Sequence, residues 1–308
     1  MAFAARPHTQ WQLRTRALAL GRQTRVLGIV NCTPDSFSGD GLRDLGVEAA
    51  VAHGLRLLDD GADGLDLGGE STRPGSGAAS SSAVSLAEEQ DRVLPVIEAL
   101  LREREDLLLS IDTYHAATAR AAVAAGVEIV NDVSGFLWDA TMAETCAALQ
   151  CGVVLMHTRG RPDEWRTLPP VADAEVLPLI RSGFAERLAA AESAGVMRER
   201  IVLDPGYGFG KIFEANYTLL AGQSELLALG RPLLAGPSRK SFLGRTLARR
   251  LRLDDVVPGE RDTASVAAGV AAILNGASIL RVHAVKPSVE AAAIADAILA
   301  ASEMRTGG

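Results

Sequence analysis

Residues 26–41 read VLGIVNCTPDSFSGDG. An apolar run short enough for one strand ends at Asn31. The chain then presents Thr33, Asp35, Ser36, Ser38 and Asp40 at once, with Phe37 among them. A connecting loop needs only a few turn residues, so this one carries more oxygen ligands than a turn requires. The same succession of apolar run, polar end and helical segment recurs along the chain. The further runs are GLDLGG (64–69), LLLSID (107–112), EIVNDV (128–133), VVLMH (153–157), IVLDP (201–205), PLLAG (232–236) and ILRVH (279–283). Between them lie Ala- and Leu-rich segments with helical spacing, such as SLAEEQDRVLPVIEALLRERE and SVAAGVAAILNG. A further helix, KPSVEAAAIADAILAASE, follows the last run, with Pro287 and Ser288 as start signals.

Strands that read as nearly continuous apolar runs, alternating with helices, imply a parallel sheet covered by helices. Eight such units in roughly 250 residues fit a closed (β/α)8 TIM barrel better than an open doubly wound sheet. The reading is a single α/β domain over 1–308, with its core at about 26–303. WQLRTRALALG alternates like two short strands, so a short N-terminal β cap is expected over 11–25. GSGAASSSAVS (75–85) reads as a long loop after the second strand, not a domain boundary.

The chain has 308 residues, 48% apolar and 22% charged, which suits a globular protein with a sizeable core. A net charge of -7 disfavours a nucleic-acid or anionic-membrane surface. No apolar stretch reaches transmembrane length without a charge or breaker. Cys32, Cys146 and Cys151 form no C-x-x-C pair and no disulfide spacing, so a reducing cytoplasm is expected.

In a barrel of this kind chemistry sits at the C-terminal strand ends, and polar residues collect there in all eight runs. Each has a structural alternative. Asp204 in LDPGYGFG is also good turn chemistry, Asp112 before Thr113 is a good N-cap, and Asn131 with Asp132 suits a strand end. Buried together, however, these groups need partners. Lys211, Lys240 and Arg281 are too few cations to supply them all. A flat aminopyrimidinone ring, with an amine and a ring N–H side by side, would. Lys240, in GPSRKSFLG, stands between a strand end and a helix start. That position suits an anion cradle with Ser238 and Arg239, and a Schiff-base lysine is the rival chemistry. Arg281 and His283 alternate with Val282, so both face one side of the strand, as a phosphate site on the eighth strand would need. His8, His53 and His115 read as surface residues, and the role of His157 stays open. The histidines lack transition-metal spacing. Oxygen and amide ligands beside a phosphate suit Mg²⁺.

NCTPDSFSGDG, DLGGESTRPG, SIDTY, NDVSG, LMH, LDPGYGFGK, GPSRKSFLG and RVH together resemble the dihydropteroate synthase family of folate biosynthesis, in order and spacing, from about Trp11 to the last helix. The resemblance implies a transferase that condenses 6-hydroxymethyl-7,8-dihydropterin diphosphate with 4-aminobenzoate. By the same resemblance, Asp112, Asn131, Asp204 and Lys240 hold the pterin, with Met156 against its ring. Thr72, Arg73, Arg281 and His283 handle the diphosphate, and Asn31 ligates Mg²⁺. Pro34, Phe37 and Ser241 form the aminobenzoate pocket, Asp35 lies against the reacting carbon, and Asp35, Lys240 and Arg281 carry the catalysis. A cytoplasmic homodimer open to sulfonamides is also implied. Where many relatives have SFSDGG and RVHDV, this chain has SFSGDG and RVHAV, with Ala284 removing a carboxylate.

Overall fold

The computed structural model describes residues 3–33, 43–70 and 83–306. The chain opens with an antiparallel hairpin, β1 (Thr9–Gln12) and β2 (Ala17–Leu20), in which Trp11 faces Leu18. Eight parallel strands follow: β3 (Arg25–Asn31), β4 (Gly64–Gly68), β5 (Leu109–Asp112), β6 (Ile129–Asp132), β7 (Gly152–Met156), β8 (Ile201–Asp204), β9 (Leu233–Ala235) and β10 (Ala277–Val282). They pair in chain order, and β10 returns to β3, so the sheet closes on itself. Each strand lies within two residues of its predicted run. The expected cap over 11–25 is shorter and shifted: the hairpin spans Thr9–Leu20, and Arg25 already belongs to the barrel.

The helices around the barrel are α1 (Arg43–Asp59), α2 (Leu86–Glu103), α3 (Ala116–Ala124), α4 (Met142–Leu149), α5 (Asp173–Ser193), α6 (Phe213–Gly222), α7 (Ser241–Leu251), α8 (Asp262–Leu274) and α9 (Val285–Thr306). Helix α2 shows why such segments form. Ser85 caps it by accepting the Glu88 N–H at 3.3 Å, and Val93, Val96, Ile97 and Leu100 make one buried stripe at helical spacing. Of the predicted 75–85 loop, only its last residues lie among those described.

Strand alternation sorts the side chains. Outward residues such as Val30, Leu67, Ile111, Val130, Leu155 and Leu203 join the helix-facing core. Inward residues low in the barrel, Leu27, Ile129, Val154, Val202, Leu234 and Ile279, pack with Trp11, Leu13 and Leu20 of the hairpin segment. Trp11 is buried, and its Nε1 donates to the Arg200 carbonyl at 2.7 Å. The hairpin therefore plugs the N-terminal end of the barrel, leaving the other end for chemistry.

Candidate active site

The inward positions change character toward the C-terminal end. Cross-strand register sets Asn31 opposite Gly68, Gly68 opposite Asp112, and Asp112 opposite Asn131, so four strands contribute to one level. On the far side Met156 is opposite Asp204. From β10, Arg281 reaches across the barrel: its Nε donates to Asp66 Oδ2 at 2.5 Å and its Nη2 to Asp112 Oδ2 at 2.6 Å. Asn131 Nδ2 donates to the same Asp66 oxygen at 3.1 Å. One guanidinium thus serves two carboxylates.

Above these groups lies a cleft of about 200 Å³, lined by Ile29, Asn31, Asp112, Lys240, Arg281 and His283 among others. Asn131, Asp204 and Met156 lie buried beneath it. The apolar wall is Met156 with Tyr114, Val133 and Phe209, flanked by Trp138 and Trp165. Lys240 caps the N-terminus of α7, and its Nζ sits 4.0 Å above the Phe209 ring. Ser241 begins that helix at the cleft edge. Lys240, Arg281, Asp112, Asn31, Ser241 and His283 are therefore brought together at one mouth. Asp35, Pro34, Phe37, Thr72 and Arg73 lie outside the described residues.

Burial drives the protonation behaviour of the site. It raises the Asp112 carboxyl to about 7, against the pull of Arg281 and with help from Asp66. It raises Asp204 as well, while the Gly206 N–H, 2.7 Å from Oδ1, and then Lys240 oppose it. Burial also works against the charge on Arg281, but Asp66 and Asp112 outweigh it and hold the guanidinium protonated. An N–H donor brought by a ligand would favour the ionised form of each and so oppose the effect of burial.

Several expectations need correction. Ser238 and Arg239 do not form an anion cradle. Arg239, in the left-handed region at φ 56°, makes a two-point ion pair with Asp262 at 2.6 and 2.8 Å, and its N–H is held by Ser265 Oγ. Ser238 Oγ instead contacts His283 Nδ1 at 3.0 Å and accepts the His283 N–H. These bonds fix the turn that aims Lys240, and the charge of Arg239 is already matched by Asp262. Lys211 is no free cation either, because its buried Nζ donates to the carbonyls of Gly206, His157 and Phe209. His157 packs edge-on against Phe184, and burial lowers its pKa well below the usual range. His115 is not a simple surface residue. Its Nδ1 lies 2.8 Å from Glu89, a buried carboxylate that also accepts from Thr113 and Thr118.

Sequence reasoning missed Asp66 and Phe209. The signal for Asp66 was available: a lone carboxylate inside the apolar run GLDLG, two residues below the strand end and so on the inward face. Phe209 lies within the glycine-rich turn after β8, between Gly208 and Gly210, and carries no pattern of its own. Among the described residues no cluster of three or more His, Cys, Asp or Glu could hold a metal. A metal at the mouth would take Asn31 as a protein ligand and find its remaining oxygens elsewhere, which suits Mg²⁺ with a phosphate and water. Also among the described residues, no helix is long and apolar enough to cross a membrane.

Comparison with known proteins agrees with this geometry. The family described as pterin binding enzyme matches residues 27–283. Dihydropteroate synthase of a Synechocystis strain is 41% identical over 278 residues, covering 90% of this chain and 91% of that protein. Two solved structures of the Xanthomonas albilineans dihydropteroate synthase superpose closely. One, with 4-aminobenzoic acid, has TM-score 0.82 at 43% identity and covers 95% of this chain and 99% of that one. The other, with 7,8-dihydropteroate, has TM-score 0.80 at 40% identity, with 94% and 99% covered. The Yersinia pestis enzyme in a sulfonamide complex gives TM-score 0.83 at 39% identity, covering 95% and 100%.

Proposed function

The chain belongs to the dihydropteroate synthase family of pterin-binding enzymes, and from that membership we propose how its own residues carry out the reaction. The enzyme joins 6-hydroxymethyl-7,8-dihydropterin diphosphate to 4-aminobenzoate, giving 7,8-dihydropteroate and diphosphate. The bond from the pterin methylene carbon to the diphosphate oxygen breaks, a carbon–nitrogen bond forms, and the arylamine nitrogen loses a proton.

The observation that carries this reading is the ring of carboxylates and amide set by strand register over an apolar wall. Asp112, Asn131 and Asp204 take the N–H edge of the pterin, Lys240 contacts its acceptor side, and Met156 packs against the ring. Breaking the bond leaves positive charge on the dihydropterin, which the electron-rich ring delocalises, so the path is largely dissociative. Asp112 and Asp204, in their ionised forms, favour that charge electrostatically. Arg281 and His283, at the cleft rim with Asn31, face the departing diphosphate. Asn31 would hold Mg²⁺ at this rim, where the ion would supply positive charge against the leaving group. The amine is a free base at neutral pH, so a strong general base is not required. Ser241, at the cleft edge, contributes to the aminobenzoate side, together with Pro34 and Phe37 of the first loop. Thr72 and Arg73 assist with the diphosphate.

We also place the enzyme in the cytoplasm as a homodimer. The buried free thiols of Cys32, Cys146 and Cys151 support the first assignment. The exposed apolar side chains of Tyr217, Leu251, Leu253 and Val257 around α7 support the second. The direct test is a product assay with the pterin diphosphate, 4-aminobenzoate and Mg²⁺. Dihydropteroate and diphosphate should form together, and a sulfonamide should compete with 4-aminobenzoate. Binding of the pterin diphosphate without product would refute the reaction.

A further inference from the structure

Asp66 is fully buried in the middle of β4, below the cleft, and is not among the residues lining it. A charge there needs a reason beyond packing, since a buried carboxylate costs several kcal/mol unless paired. Both of its donors come from groups at the site: Arg281 Nε at 2.5 Å and Asn131 Nδ2 at 3.1 Å, on the same oxygen. The other Asp66 oxygen and Asn131 Oδ1 are buried and have no hydrogen-bond partner among the described residues.

An ionised carboxylate only accepts. With Nδ2 held on Asp66, the Asn131 amide must turn its carbonyl oxygen the other way, and the flipped amide would set oxygen against oxygen. The same carboxylate gives Arg281 a second anchor. A ligand that takes Asp112 removes one of the two acceptors of the guanidinium, and Asp66 retains the other. From this geometry we infer that Asp66 is a positioning residue: it touches no substrate, but it fixes the amide orientation of Asn131 and tethers Arg281 while the pterin claims Asp112. The inference rests on the pterin reading of the site and assigns a role to a residue that reading does not use.

The test is calorimetric titration of the full chain with 6-hydroxymethylpterin, which lacks the diphosphate and needs no metal. It compares wild type, Asp66→Asn, Asn131→Ala and the double variant, each with its melting temperature. Asp66→Asn is isosteric but has no fixed acceptor preference. It should weaken pterin binding at least tenfold, leave the KM for 4-aminobenzoate within twofold, and lose less in combination with Asn131→Ala than the two single losses multiplied. Unchanged pterin affinity in Asp66→Asn, equal losses for both substrates, or multiplicative losses in the double variant would overturn the inference. Should Asp66→Asn not fold, Asp66→Glu keeps the charge but displaces it by one methylene, and unaltered pterin affinity there would overturn it equally. A wild type that binds no pterin would sink the reading of the site itself, an outcome distinct from any of these.

Discussion

Arg281 Nη2 lies 2.6 Å from Asp112 Oδ2, across the barrel from β10 to β5. The contact matches one cation to a carboxyl that burial has pushed up to about 7. Between the unfolded carboxylate range, near 3.8, and about 7, the folded protein binds more protons at Asp112 than the unfolded chain does. Stability should therefore fall as pH rises through that window and level off above it. Asp112→Asn should remove this part of the slope, as urea unfolding at a series of pH values would show. An identical slope in the variant would contradict the assignment.

Asp204 accepts the Gly206 N–H and is buried beneath the cleft. Removing it takes away a charged hydrogen bond to the pterin, worth about 1.5–3 kcal/mol, so Asp204→Ala should weaken 6-hydroxymethylpterin roughly ten- to a hundredfold. Calorimetry measures this directly, and wild-type affinity would count against the proposed contact.

Lys240 is held at a helix N-terminus with its ammonium over Phe209. The contact with the ring face holds the ammonium as a donor aimed at the cleft. Borohydride added with a carbonyl substrate should leave the protein mass unchanged, whereas Lys240→Ala should weaken pterin binding by about tenfold or more.

Chelation of divalent metal should abolish product formation, and Mg²⁺ should restore it. Asn31→Ala should raise the Mg²⁺ concentration required while leaving 6-hydroxymethylpterin binding unchanged. A variant with the wild-type Mg²⁺ requirement would remove Asn31 from the metal site.

Trp11 fills the closed end of the barrel with Leu13 and Leu20. Trp11→Ala should cost about 3–5 kcal/mol of stability, read as a lower melting temperature. The KM values of the remaining folded enzyme should stay near wild type, because the plug lies at the end opposite the site.

Much of this architecture is legible in the sequence. The eight strands announce themselves because each is an apolar run bounded by polar or glycine punctuation, and because Asn31, Asp112, Asn131 and Asp204 interrupt those runs at their ends. Period-two alternation also placed Arg281 and His283 on one face correctly. What stayed hidden depends on distances across the barrel. That Arg239 pairs with Asp262, or that Lys211 is bound by three carbonyls, follows from how loops fold back, which local pattern does not encode. Asp66 lay between these cases: its inward direction was readable from GLDLG, but its partners stand on β6 and β10. His115 looked exposed because Glu89, its partner, belongs to the preceding helix.

The pairing of β10 with β3 has a consequence for biosynthesis. Translation delivers the strands in order, so until residues 277–282 leave the ribosome the nascent sheet remains open, with two unpaired edges. The guanidinium that bridges Asp66 and Asp112 arrives on that same strand, so ring closure and partial charge compensation occur in one event. A ribosome stalled before codon 277 would display a chain that is sticky at its margins and electrostatically frustrated at its centre.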